Sequence, residues 1–322
     1  MILGAPGVGK SVAVSMCVRM WERAGVEVIQ CAPTHSAARE LPGGMTLHRL
    51  FHSKTRRGIT PDLGAGVLVV DEAFYCGVTL LTLLAQVKLA SPDLAIVLVG
   101  DPNQLLAPCN QFGGAEPPSF EGSDLLHWLC GGRSLRFTRC RRSDRHLFSL
   151  YTQPYPLAYL RQILAPRHGE LPRWSLCVSN YMRKAINHCM NHGCVYLDHV
   201  FIPGNPRFPG SQDCLLTLET PLIASKTVPG VGLKNASLLR VYSIRPTIVL
   251  QDLKSEQLIE VTAEQFPQWV RMAHSITYHN SQSKTLPGTV GLFETQSRYF
   301  TERHLLVGLS RATHCEDVMI YS

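Results

Sequence analysis

Gly4-Ala5-Pro6-Gly7-Val8-Gly9-Lys10-Ser11 is the stretch that decides how this chain is read. It fits the pattern Gly-x-x-x-x-Gly-Lys-Ser/Thr at every fixed position. Glycines let a backbone fold tightly enough for successive N–H groups to point at phosphate oxygens. Lys10 adds a point charge near the β and γ phosphates of a nucleotide, and Ser11 offers a hydroxyl to Mg²⁺. The helix that follows presents the positive end of its dipole to the same anion. Gly4, Ala5, Pro6, Gly7, Val8, Gly9, Lys10 and Ser11 are therefore the candidate phosphate cradle. A glycine-rich turn that binds nothing is the plain alternative, and the rest of the chain decides between the two.

Outward from this loop, the first half alternates short apolar runs with helical patterns. Ile2-Leu3 ends a strand at the loop, 12–23 reads as a helix, and 26–32 reads as a second strand. Gly66-Val67-Leu68-Val69-Val70 and Leu94-Ala95-Ile96-Val97-Leu98-Val99 are continuous apolar runs, as expected for strands buried on both faces. A helix is predicted over 78–89 between them. The pattern is that of a doubly wound parallel α/β domain, whose ligands bind beyond the strand C-termini. Residues 110–122 are rich in Gly and Pro and read as a surface loop. A second α/β region starts near Leu135, with a strand end at Cys177-Val178-Ser179-Asn180 and a helix over 181–191. From about 196 to 260 the pattern shifts to short β-like runs separated by Gly, Pro and Asn (215–218, 238–244, 247–250), and 318–321 reads as a closing strand.

The chain has 322 residues, enough for two domains, and is 45% hydrophobic, enough for substantial cores. No apolar run approaches the ~18 residues a membrane helix needs. Its formal charge of +7 permits an anionic polymer as partner without requiring one. The 11 cysteines are odd in number and scattered, which fits reduced thiols and an intracellular, reducing compartment. His188, Cys189, His192, Cys194 and His199 cluster in sequence, but their spacing matches no zinc module.

Asp71-Glu72 follow the first of the two apolar runs. A carboxylate at a strand end, across from a phosphate loop, suits Mg²⁺, often through water, so Ser11 and Asp71 are the candidate metal ligands. Glu72 would then orient or deprotonate an attacking water. Two solvated acids at a turn is the ordinary alternative. Gly100-Asp101-Pro102-Asn103-Gln104-Leu105 follows the next apolar run, where Gln104 is placed to sense a γ-phosphate.

These motifs, in this order, resemble a superfamily 1 helicase of the RecD-like and Pif-type group. Cys31-Ala32-Pro33-Thr34-His35-Ser36-Ala37-Ala38 is similar to motif Ia of that family, and Thr46-Leu47-His48 to the Thr-x-His element that follows it. Thr138-Arg139-Cys140-Arg141-Arg142-Ser143-Asp144 resembles motif IV, with Arg142 the favoured phosphate-facing arginine and Arg141 a close rival. Ser179-Asn180, Arg183 and Asn187 match a further pattern of the group. Thr277-Tyr278-His279-Asn280-Ser281-Gln282 resembles motif V, and Leu306-Val307-Gly308-Leu309-Ser310-Arg311-Ala312-Thr313 resembles motif VI.

The resemblance covers nearly the whole chain and implies two RecA-like doubly wound domains with a small β-barrel inserted in the second. It places the first domain at 1–134, with a short wedge-like insertion near 50–64 carrying Lys54, Arg56 and Arg57. The second falls at 135–195 and 271–322, and the barrel at 196–270. It implies ATP and Mg²⁺ as cofactors, with ATP held by Lys10, Ser11, Asp71, Gln104 and Arg311, and Glu72, Lys10, Gln104, Arg142 and Arg311 as the catalytic set. Both arginines come from the second half in this reading and reach the γ-phosphate from across a cleft. Pro33, Thr34, His35, Thr46, His48, Thr277, His279, Ser281 and Gln282 would line a groove that positions a strand by its phosphates. The implied activity is ATP-driven movement along single-stranded DNA, five-prime to three-prime, by a monomer working beside other replication or repair proteins. An RNA helicase of the kind found in plus-strand RNA viruses, and a nucleic-acid-binding remnant without hydrolysis, are the alternatives. A nuclear or cytoplasmic site, including a viral replication site, is left open.

Two departures stand out. The family carries a glutamine motif ahead of the phosphate loop that reads adenine, whereas this sequence opens at the loop, as a fragment or a partner-completed protein would. Motif V usually reads His-Lys-Ser-Gln-Gly, and here it is His279-Asn280-Ser281-Gln282-Ser283. A serine in place of that glycine is unfavourable if the turn needs positive φ.

Overall fold

The structure, a computed structural model, describes residues 1–54, 62–107, 120–166, 169–193, 198–208 and 210–321. Arg56, Arg57, Cys109, Cys194 and most of the 110–122 loop lie outside the described residues. The chain divides into two compact units, Met1–Pro154 and Tyr155–Ser322.

The first unit is built on β1 (Ile2–Gly4), β2 (Val28–Ala32), β3 (Met45–Thr46), β4 (Gly66–Val70), β5 (Leu94–Gly100) and β6 (Leu135–Phe137). They form one sheet in the order β3-β2-β4-β5-β1-β6, and every neighbouring pair is parallel. Helices α1 (Lys10–Arg23), α2 (His35–Glu40), α3 (Leu47–Lys54), α4 (Val78–Ala90), α5 (Asp124–Leu129) and α6 (Arg145–Thr152) connect or follow the strands. Strand periodicity explains the continuous apolar runs. Leu68 and Val70 of β4, with Ile96 and Leu98 of β5, face one core together with Leu84 and Leu126. Val67, Val69 and Val99 face the other, against Val14 and Val18 of α1. Both faces are covered, so no polar face is needed.

β6 corrects the expected boundary after residue 134. Leu135, Arg136 and Phe137 pair in parallel with Ile2, Leu3 and Gly4, so the stretch completes the first sheet instead of opening the second. Backbone pairing to an otherwise open edge outweighs the weak apolar character of β6. Motif IV, which follows, therefore belongs to the same unit as the phosphate loop.

The second unit begins with α7 (Leu157–Ile163), β7 (Trp174–Cys177) and α8 (Asn180–His192). A hairpin of β8 (Val200–Ile202) and β9 (Cys214–Leu216) follows. Next come β10 (Pro221–Ala224), β11 (Leu238–Ser243), β12 (Ile248–Asp252), β13 (Leu258–Val261), the short helix α9 (Phe266–Trp269) and β14 (Val270–Met272). These strands form an antiparallel sheet in the order β13-β12-β11-β10-β14, packed on Leu222, Leu239, Val241, Leu250, Ile259 and Phe266. Where a small barrel is expected, the structure has a five-stranded antiparallel sheet, and no pairing of β13 with β14 closes it among the described residues. The chain then returns through β15 (Ser275–Thr277), α10 (Tyr278–Ser281), β16 (Val290–Leu292), α11 (Glu302–Leu309) and β17 (Val318–Ile320). With β7 they make a parallel sheet in the order β15-β7-β16-β17. No described helix is long and apolar enough to cross a membrane.

Candidate active site and nucleic-acid contacts

β1 ends at Gly4, and the loop turns through Gly7 (φ 81°) and Gly9 (φ 92°) into α1. At Gly4 a Cβ would lie 2.5 Å from the carbonyl oxygen of Phe137, so the close approach of β6 excludes any side chain there. Lys10, the first residue of α1, donates its Nζ to the carbonyls of Gly4 (2.6 Å) and Ala5 (3.0 Å). Burial lowers its pKa, while Glu72, Asp101 and Asp71 pull in the opposite direction. A lysine held among three acids is kept charged where a phosphate would meet it.

The acids sit where parallel strands end. Asp71 follows β4, accepts the N–H of Glu72 (2.9 Å) and takes a hydrogen bond from the Ser11 hydroxyl. Burial first, then the Glu72 carboxylate, push its pKa well above the ordinary carboxylate range. Glu72 is held at φ 52°, a left-handed backbone that non-glycine residues seldom adopt. Asp101 follows β5, is 3% exposed, and accepts the N–H of Asn103 (3.0 Å), while its Oδ2 has no partner. Burial raises its pKa too. Gln104 is buried, three residues on. Sequence reading gave no role to Asp101, although its place directly after an apolar strand is the same signal that marked Asp71.

The donor set around Lys10 is oxygen only: the Ser11 hydroxyl, already turned onto Asp71, plus carboxylates, one of which keeps an unpartnered buried oxygen. That chemistry fits Mg²⁺.

Arg142 lies against the loop from within the same unit. A Cβ on Gly7 would meet Arg142 Cβ at 3.1 Å and Nε at 3.4 Å. Arg142 is partly buried, and burial lowers its pKa, whereas Arg141 is exposed. Arg141 Cγ would stand 4.0 Å from a Cβ on Gly9, so both arginines pack on the loop, and both belong to the first unit, whereas Arg142 was expected from the second domain. A strap missed by sequence reading fixes this segment on the loop. The Arg141 N–H donates to the Gly7 carbonyl (2.8 Å), and the Tyr151 hydroxyl of α6 donates to the Pro6 carbonyl (3.1 Å).

Arg311 behaves differently. It is 1% exposed, and four guanidinium N–H groups bond within the second unit. Nε donates to Val307 O (2.9 Å), Nη1 to Ser281 O (3.0 Å) and Lys284 O (2.9 Å), and Nη2 to Ser310 Oγ (2.8 Å). In this structure Arg311 braces the motif V turn.

The strand-contact candidates also divide. In the first unit, β2 and β3 end side by side, Ala32 opposite Thr46, which brings Pro33, Thr34 and His35 next to Thr46 and His48. Thr34 caps α2 by accepting the Ala37 N–H (3.2 Å), and Thr46 accepts the Arg49 N–H (3.2 Å). His35 and His48 are exposed. In the second unit, Thr277 caps α10 by accepting the Asn280 N–H (3.4 Å), and the Ser281 hydroxyl donates to Tyr278 O (2.7 Å). Thr277, Ser281 and Gln282 are buried. His279 is half-buried, edge-on to His304 with ring centroids 5.7 Å apart. Ser283 is held at φ 62°, the conformation the family's glycine would provide without strain. In the histidine and cysteine cluster, the His188 and His192 rings lie tilted at 40° with centroids 3.9 Å apart, and no group of three metal-ligating side chains occurs among the described residues.

Comparison with known proteins agrees with the resemblance read from the motifs. A family described as AAA domain matches residues 1–111. An ATP-dependent RecD2 DNA helicase of Deinococcus radiodurans is 30% identical over 182 residues, 54% of this chain. The match spans 22% of that relative's length. The Pif1 helicase from Candida albicans superposes over 100% of this chain and 90% of its own, with TM-score 0.72 and 18% identity. Bacteroides Pif1 bound to ssDNA covers 100% and 88%, with TM-score 0.69 and 19% identity. The chain has the α/β fold of these Pif1 structures, with two RecA-like parallel sheets.

Proposed function

We propose that this chain is an ATP-dependent DNA helicase or translocase moving five-prime to three-prime on single-stranded DNA. The observation that carries this reading is the constellation around Lys10: Asp71, Glu72 and Asp101 at strand ends, Ser11 turned onto Asp71, and Arg142 against Gly7. Its support from outside the chain is the relative that is an ATP-dependent DNA helicase and the Pif1 structures bound to ssDNA or to ADP-AlF3.

In this mechanism the loop N–H groups and Lys10 bind the β and γ phosphates. Ser11 and Asp71 would hold Mg²⁺, which when bound neutralises charge on the phosphate oxygens. Glu72 orients the attacking water and accepts its proton, and its half-buried position leaves the carboxylate reachable. Gln104 senses the γ-phosphate. Arg142 stabilises charge that develops in the transition state, so motif IV acts on the nucleotide from the same unit that binds it. Two RecA-like units that alternate in affinity for a strand make a motor. His35 and His48 are the exposed strand contacts of the first unit, and DNA is the proposed partner of a monomeric chain.

ATP hydrolysis by the purified chain, with and without single-stranded DNA, tests the proposal. DNA should stimulate turnover, and Glu72→Gln should lower kcat by roughly 10²–10⁴-fold with the fold unchanged. Equal turnover by wild type and Glu72→Gln sinks the assignment. Stimulation by RNA but not DNA would transfer it to RNA.

A further inference from the structure

Helix α8 ends on two histidines that no role described so far uses. His188 and His192 are both exposed and lie four residues apart, on one face of the helix. Their rings sit side by side, with centroids 3.9 Å apart and planes tilted by 40°. The same two turns are anchored from the inward side. Asn187 donates to Ser275 O (3.1 Å), and Asn191 donates to Leu215 O (2.8 Å). The backbone that presents the two imidazoles is therefore held in place.

The tautomer of His192 is set as well. Its Nδ1 lies 3.0 Å from the carbonyl oxygen of His188. A carbonyl only accepts, so Nδ1 carries the hydrogen, and in the neutral ring Nε2 keeps its lone pair. A histidine whose Nδ1–H is bonded to main-chain oxygen is in the form that ligates a metal through Nε2. Two metal–nitrogen bonds of ~2.0–2.1 Å reach across at most ~4 Å, so rings this close meet one ion by side-chain rotation. The position on the helix favours a cation, because the C-terminal end carries negative partial charge and α8 ends at His192. Lys184, one turn before His188 on that face, is exposed, where water and salt screen it. Cys189 is exposed beside the pair but does not combine with it into a three-ligand group.

We propose that His188 and His192 chelate a Zn²⁺ ion on the C-terminal turn of α8. Imidazole nitrogen suits Zn²⁺, whereas the oxygen donors around Lys10 suit Mg²⁺. Two histidines at i and i+4 on one helix also supply the zinc nitrogens of the His-Glu-x-x-His motif. With two protein ligands, water completes the coordination, so the ion exchanges with solvent and clamps the last turn of α8. The site shares no residue with the phosphate loop and does not depend on the nucleotide reading.

The test titrates the reduced full chain with Zn²⁺ in excess Mg²⁺, which occupies the oxygen donors, and follows hydrogen exchange over residues 188–193. At Zn²⁺ ten times its Kd, exchange across that turn should slow by roughly tenfold. His188→Gln and His192→Gln should each weaken binding by roughly tenfold or more and remove the protection. Both side chains face solvent, so these variants should melt like wild type without Zn²⁺. Cys189→Ser should leave binding and protection unchanged. Lys184→Glu should tighten binding roughly twofold, because a repelling charge one turn away becomes an attracting one, and a damaged fold does not produce such a gain. Absence of protection in wild type, protection that survives either histidine substitution, or equal loss in Cys189→Ser overturns the site.

Discussion

Arg142 and Arg311 were read from sequence as equivalent, and the structure makes them opposites. Arg142 lies against Gly7 beside a lysine, three acids and a glycine loop, in a unit whose charged groups converge on one place. Arg311 is bonded to the carbonyls of Val307, Ser281 and Lys284 and to Ser310, in a unit whose motif polar groups are turned inward. A motif residue therefore acquires its role from its partners. An arginine that retains access to an anion can do chemistry. One bonded to three main-chain carbonyls and a serine hydroxyl holds the scaffold around it.

Replacing each arginine by alanine breaks or sharpens the contrast. Arg311→Ala leaves three buried carbonyls short of a donor and opens a cavity, so it should lower stability by about 3 kcal/mol or more. Arg142→Ala should leave the melting temperature nearly unchanged and lower kcat by roughly 10³-fold. Thermal melts and steady-state ATPase assays on both variants decide it. If Arg311→Ala melts like wild type while losing turnover, the two arginines are equivalent after all.

The units should also answer acid in opposite directions. In the second, burial lowers His274 to about 4, and burial followed by the His279 charge lowers His304 to about 4. Both values lie below the unfolded value of about 6.5, so between those limits the unfolded chain binds more protons. Stability is complete above about pH 6.5 and falls as pH drops toward 4, by up to about 3 kcal/mol for each histidine. In the first unit, burial raises Asp101 above its ordinary value, so the folded state binds the extra proton at that group and this contribution does not weaken in acid. Hydrogen exchange resolved by unit, measured from pH 7 to pH 4.5, should show protection falling first in the second unit. His274→Gln should flatten that slope. Equal loss of protection in both units would falsify the histidine account.

Ser283 gives the smallest effect. At φ 62° it carries the strain that glycine avoids, and Ser283→Gly should raise stability by about 0.5–1 kcal/mol. A drop in Tm would mean that the serine side chain contributes more to the turn than its backbone costs.

Much of the first unit was legible because its signals are local. Continuous apolar runs at Gly66–Val70 and Leu94–Gly100 require strands covered on both faces, and the acids after them fall at strand C-termini for that reason. Gly4, Gly7 and Gly9 announce a backbone no other residue adopts cheaply. The second unit was less legible because its polar residues have long-range partners. Asn187 and Asn191 look like helix-surface residues until Ser275 and Leu215 are seen to accept and donate to them.

By itself, the sequence determined the α/β alternation, the phosphate loop, the order of the motifs and the antiparallel insertion, since each depends on neighbours within a few residues along the chain. Only the tertiary structure decided that β6 joins the first sheet, that Arg142 packs its side chain on Gly7 while Arg141 is exposed, and that Arg311 bonds the motif V carbonyls. The physical reason is the same in each case. A hydrogen bond or a Coulomb interaction depends on distance in space and on burial, and residues 88 or 30 positions apart in sequence acquire both only when the sheets close.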